Sequence, residues 1–133
     1  MSEVKFLFEP KTVVLVGSSK LREKVGMTSP QLFNSVIYNM KKYFRGETFV
    51  LDTDGKRGCK TLKDLSETPE LAVVMLPPER ALSQTEKCAQ KGVKALIIIT
   101  GGYKDKQRQQ LKRFMEEYGV RILGPNTIMG VIN

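Results

Sequence analysis

Histidine is absent from this chain of 133 residues. That removes the commonest general base, the usual zinc ligand and the side chain that carries a phosphoryl group as phosphohistidine. Cysteine is scarce: Cys59 and Cys88 lie far apart, and neither belongs to a Cys-x-x-Cys pair or another metal-ligand spacing. Both read as reduced thiols, Cys88 on a buried helix face. No apolar run approaches the roughly 20 residues that cross a bilayer, and the N-terminus lacks the basic and apolar stretches of a secretory signal. A soluble, cytoplasmic protein is expected. Acidic residues are outnumbered, 14 against 22 basic ones, for a net charge of +8. An excess of that sign concentrates polyanions and points to a phosphorylated ligand or a nucleic acid, although part of it is expected on solvated helix surfaces.

What is present suits one domain spanning 1–133, since 41% apolar content at this length can bury a continuous core without disulfide or metal staples. Val13 to Val16 is a β-branched run that ends at a glycine, a buried first strand. Ser29-Pro30 is an N-cap with proline at the first helical position, and Leu32, Phe33, Val36, Ile37, Met40 and Phe44 then recur at helical spacing until Gly46. Thr48 to Leu51 forms a second strand, Leu62 to Leu65 a short helix, and Leu71 to Leu76 a third strand closed by Pro77-Pro78. Pro78 starts a helix that turns Ala81, Leu82, Thr85, Cys88 and Ala89 inward. Ala95 to Ile99 is the fourth strand. A last helix carries Leu111, Phe114, Met115 and Tyr118, and Ile122-Leu123 is the fifth strand. Lys91-Gly92-Val93-Lys94 and Tyr118-Gly119-Val120-Arg121 read as the same helix stop used twice.

Strands that alternate with helices and are apolar on both faces predict an α/β fold, a Rossmann-like doubly wound parallel sheet with helices on both sides. Right-handed crossovers favour the order 3-2-1-4-5. The ligand crevice of such a sheet lies beyond the carboxyl ends of its strands, so function is sought in the five segments that leave them.

Gly17-Ser18-Ser19-Lys20, continued by Arg22, Lys24, Val25 and Gly26, offers small residues for close approach of a phosphate and cations to neutralise it. It is neither the dinucleotide fingerprint nor a P-loop. Asp52 ends strand two, where a carboxylate can hold the ribose hydroxyls of NAD, and this motivates an NAD-binding regulatory or oxidoreductase domain as the alternative. Lys56 and Arg57, beyond Thr53, suit a ribose 3′-phosphate better. Leu76-Pro77-Pro78 forms a stiff wall, and Thr100-Gly101-Gly102 lets a thin ligand lie across the backbone. Asn126 can bond a ligand amide or tie two loops. A third reading takes Lys104, Lys106, Arg108, Lys112 and Arg113 as a nucleic-acid surface, but no interleaved exposed aromatics or recognition motif accompany them.

With these segments in place, the chain resembles the CoA-binding N-terminal domain of the NDP-forming acyl-CoA synthetases, the group that includes succinyl-CoA synthetase α subunits. The resemblance rests on Phe8-x-Pro10-Lys11-Thr12-Val13, Val16-Gly17-Ser18-Ser19 with Lys24-Val25-Gly26, Leu76-Pro77-Pro78, Ile99-Thr100-Gly101-Gly102-Tyr103, and Gly124-Pro125-Asn126 followed by Gly130. It implies that Gly17, Ser18, Ser19 and Lys20 line the diphosphate of coenzyme A or an acyl-CoA. It further implies that Lys56 approaches the adenosine phosphate, and that Pro77, Pro78, Thr100, Gly101 and Asn126 border the pantetheine. Asp52-Thr53-Asp54 departs from the Asn-Pro-Lys or Thr-Pro-Gly-Lys pattern usual in that family after strand two. The family's acyl-phosphate and phosphohistidine chemistry lies beyond this domain, so a chain without histidine is expected to need further domains or a β-type nucleotide-binding subunit.

Overall fold

The computed structural model describes residues 9–19, 30–55, 57–99 and 101–124. Five strands form one parallel sheet: β1 (Thr12–Gly17), β2 (Glu47–Asp52), β3 (Leu71–Val74), β4 (Ala95–Ile98) and β5 (Arg121–Leu123). Among the described residues three helices accompany them, α1 (Pro30–Tyr43), α2 (Pro78–Lys91) and α3 (Asp105–Tyr118), with one 3-10 turn at Leu62–Asp64. Every element expected from the periodicity is present, and boundaries shift by at most two residues. The proposed Ser29 cap lies outside the described residues.

Alternation along β1 divides the core into two layers. Val13 and Leu15 face α1, where they meet Phe33 and Ile37, the inward positions of the three-and-four spacing. Val14 and Val16 face the opposite layer, built from Ala81 and Cys88 of α2, Leu111 and Phe114 of α3, and Leu62 and Leu65 around the 3-10 turn. The two repeated stops behave as read: Gly92 and Gly119 end α2 and α3 in left-handed conformation, at φ 106° and 68°. Cys88 is fully buried, and burial pushes its thiol up to about 12, which leaves it an inert packing group. No helix among the described residues is long and apolar enough to cross a membrane.

The strand order corrects the expected one. The sheet runs 2-1-3-4-5, with β3 hydrogen-bonded to β1 on the side away from β2, whereas 3-2-1-4-5 was expected. Both orders belong to doubly wound sheets and share the same alternation of elements. Here the connection from β2 to β3 holds one 3-10 turn whose Leu62 and Leu65 sink into the layer opposite α1, so the chain crosses under β1 before pairing on its far side. The switch in strand order therefore falls between β1 and β3. The segment after β3 becomes the direct neighbour of the β1 loop.

Thr85 is the polar exception in the α2 layer, 0% exposed with no hydrogen-bond partner for Oγ1 among the described residues. An unsatisfied buried hydroxyl destabilises, and a methyl of the same shape does not. Thr85→Val should raise stability by about 1 kcal/mol, read as a higher urea midpoint at unchanged slope. A lower midpoint would show that the hydroxyl is satisfied.

Candidate functional site

Parallel pairing places the carboxyl ends of the strands on one edge of the sheet, and the register sets Gly17 of β1 directly beside Asp52 of β2. Gly17 is required by packing as well as by any ligand: a Cβ there would lie 2.4 Å from the Phe33 ring of α1. The first-strand loop thus rests on the helix that follows it.

Asp52 organises this edge. Its side chain is 0% exposed and accepts the Ser19 N–H at 3.1 Å and the Asp54 N–H at 3.0 Å on Oδ1, and the Arg57 N–H at 3.1 Å on Oδ2. Burial alone would raise its pKa. The Ser19 side chain and these three amides outweigh that effect and hold the carboxyl below its ordinary value. The chain folds back around the carboxylate: Gly55 N–H donates to Asp52 O at 2.8 Å, Asp52 N–H to Cys59 O at 2.8 Å, and Cys59 N–H to Val50 O at 2.9 Å. Asp52 was singled out as a ribose ligand; in the fold its oxygens hold two loops together.

The remaining bonds at this edge also run between loops. Thr53 N–H donates to Gly17 O at 3.0 Å, and Ser18 Oγ, on a residue only 1% exposed, donates to the Asp54 carboxylate. Ser19 Oγ is buried and makes no hydrogen bond of full geometry among the described residues, although it lies near enough to Asp52 to favour the charged form. Gly17, Ser18, Ser19 and Thr53 are therefore brought into one cluster. Leu76 and Pro78 are buried and Pro77 half-buried beyond β3, and Gly101 is half-buried beyond β4. Lys20, Lys24, Val25, Lys56, Thr100 and Asn126 lie outside the described residues. So do Phe8, Gly26, Pro125 and Gly130, which also carried the resemblance.

Arg80 joins this edge without having been singled out. It lies in the first turn of α2, and its guanidinium donates to Thr53 Oγ1, linking the end of β3 to the end of β2. A signal was present in the sequence: a cation in the first turn opposes the helix dipole, so its place there calls for another cause. Together the edge presents small residues, a buried hydroxyl lacking a good partner and a cation, a donor set suited to phosphate oxygens. The basic side chains of α3 are different in kind: Lys106, Arg108, Lys112 and Arg113 are exposed, and Arg108 pairs with Asp105 at 3.6 Å. The aromatic residues of α3, Phe114 and Tyr118, are buried and half-buried.

The CoA binding domain family model matches residues 11–132. An ADP-forming acetate–CoA ligase of Methanocaldococcus jannaschii is 32% identical over 138 residues, covering 98% of this chain and 19% of that protein. The alpha subunit of ADP-forming acetate–CoA ligase I of Pyrococcus furiosus is 32% identical over 142 residues, covering 95% of this chain and 29% of its own length. Among solved structures, the dinucleotide forming acetyl-coenzyme A synthetase 1 of Ca. Korarchaeum cryptofilum, in complex with phosphate and ADP, superposes with a TM-score of 0.78 at 26% identity. That match covers 95% of this chain and 28% of that one.

The depressed pKa of Asp52 has a consequence for stability. Since the folded carboxyl titrates below the ordinary 3.8, the unfolded chain takes up the proton first as pH falls. Its stabilisation is complete at neutral pH, declines from about pH 4 downward and is lost below the folded pKa. Asp52→Asn replaces an acceptor-only oxygen pair and should cost about 2 to 3 kcal/mol at pH 7 while flattening the acid limb. Urea unfolding between neutral and acid pH measures both effects. An acid limb unchanged in the variant would assign that limb to other carboxylates.

Proposed function

The chain belongs to the CoA binding domain family, and from that premise we propose that it binds coenzyme A across the carboxyl ends of β1 to β4. We further propose that it supplies the CoA half-site of an ADP-forming acyl-CoA ligase. The observation that carries the reading is the single rim formed where the Gly17 and Asp52 loops are hydrogen-bonded together beside the strand-order switch. In this reading Gly17, Ser18, Ser19 and Lys20, together with Lys24 and Val25, hold the diphosphate. Ser19 Oγ is a buried hydroxyl able to bond an anionic oxygen at the loop. Thr53 and Lys56 stand at the adenosine end. Leu76, Pro77, Pro78, Thr100, Gly101 and Asn126 border the pantetheine, where proline and glycine leave room for a narrow chain.

Coenzyme A would supply a thiol, and this chain's residues bind and orient it. The chain spans 19% to 29% of the lengths of these curated relatives and contains no histidine. The phosphoryl-transfer steps of a ligase are therefore assigned to further domains or to a β-type subunit, in the cytoplasm. The names of two Pyrococcus furiosus relatives as alpha subunits support a partner of that kind.

Side-by-side thermal unfolding with CoA and with NAD tests the proposal. CoA at about 100 times its dissociation constant should add about 2.7 kcal/mol, and NAD at equal concentration should add none. A shift with NAD alone, or no calorimetric heat with millimolar CoA, would reverse it.

A further inference from the structure

Arg80 is half-buried, and its guanidinium is oriented by a neutral oxygen, Thr53 Oγ1, which also donates to Gly17 O at 3.4 Å. No carboxylate among the described residues pairs with Arg80. The two aspartates of the neighbouring loop are engaged elsewhere, Asp52 by main-chain amides and Asp54 by Ser18. A guanidinium carries five N–H donors in a planar fork, of which this arrangement leaves most without an acceptor among the described residues. Partial burial of such a charge is costly until an anion meets it, and its position at the positive end of α2 adds to that preference.

The location identifies the anion. In doubly wound sheets the ribose of a bound nucleotide lies at the end of the second strand, where an arginine accommodates a phosphate on that ribose. Thr53 directly follows β2, so the fork is tied to that position although its own helix follows β3. In the observed strand order β1 lies between β2 and β3, so the bond from Arg80 to Thr53 passes across the end of β1.

We infer that Arg80 recognises the ribose 3′-phosphate of coenzyme A, with Thr53 as the peg that orients it, and so sets the preference for CoA over dephospho-CoA. The inference rests on the CoA reading given above. A lysine ammonium supplies only a point charge, whereas the arginine fork supplies paired, directional bonds to phosphate oxygens.

Calorimetric titration of the chain and its Arg80→Gln variant with CoA and with dephospho-CoA tests this. The unaltered chain should prefer CoA. The variant should lose roughly 10- to 100-fold in CoA affinity and keep its dephospho-CoA affinity, which also reports that it is folded. Arg80→Lys, retaining the charge without the fork, should fall between the two. Equal losses for both ligands would place Arg80 on the diphosphate or in the scaffold and overturn the inference, as would undiminished CoA binding. If the unaltered chain binds neither nucleotide, the CoA reading itself falls. If it binds both and Arg80→Gln leaves their ratio unchanged, only the role of Arg80 falls.

Discussion

The rim of this domain depends on one buried carboxylate. Removing an aspartate from water costs several kcal/mol unless its oxygens are met. Three main-chain amides from two loops meet those of Asp52. The loops leave different strands and share no regular ladder beyond the Gly17 and Asp52 pair. The carboxylate turns them into one unit, to which the Thr53 and Ser18 bonds are then added. A binding rim ordered in this way before a ligand arrives loses less entropy when one binds.

Strand order decides what stands next to that rim. With β3 paired to β1, the Pro77-Pro78 wall flanks the first loop on one side, and the Asp52 loop flanks it on the other. The prolines contribute no amide donors. The polar contact from this side is made by the Arg80 side chain two residues further on. In the order 3-2-1-4-5, β3 would pair with β2 and stand one strand further from the first loop, so a contact from Arg80 to Thr53 would not pass across that loop.

Much of the fold was legible because its elements are governed by local periodicity. Phe33 and Ile37 repeat at the spacing that buries one face of α1, and the glycines that end α2 and α3 adopt the left-handed conformation that stops a helix. The third strand was read two residues too long for a physical reason: Met75 and Leu76 are 1% and 0% exposed although they follow the ladder. Apolarity reports burial, and burial continues past the last paired residue. Strand order was not legible, since it depends on which side of β1 a connection with one short turn emerges. Asp52 shows a different limit. A carboxylate at the end of a second strand is the same in sequence whether it faces a ribose or the amides of its own loop, and only the distances separate the two.

The excess of positive charge acts on two scales. The exposed lysines and arginines of α3 contribute a diffuse field, screened over about 8 Å at physiological ionic strength, that can draw an anionic ligand toward the molecule without choosing among anions. Choice requires a cation whose direction is fixed and whose hydration is already reduced. Arg80 meets both conditions, being half-buried and tied to Thr53, while Thr53 is held to Gly17 by its own amide. Thr53 in turn follows the residue whose carboxylate joins the two loops. In the proposed site Asp52 would therefore link the Arg80 end to the Gly17 loop mechanically, so loosening that carboxylate would loosen both ends together.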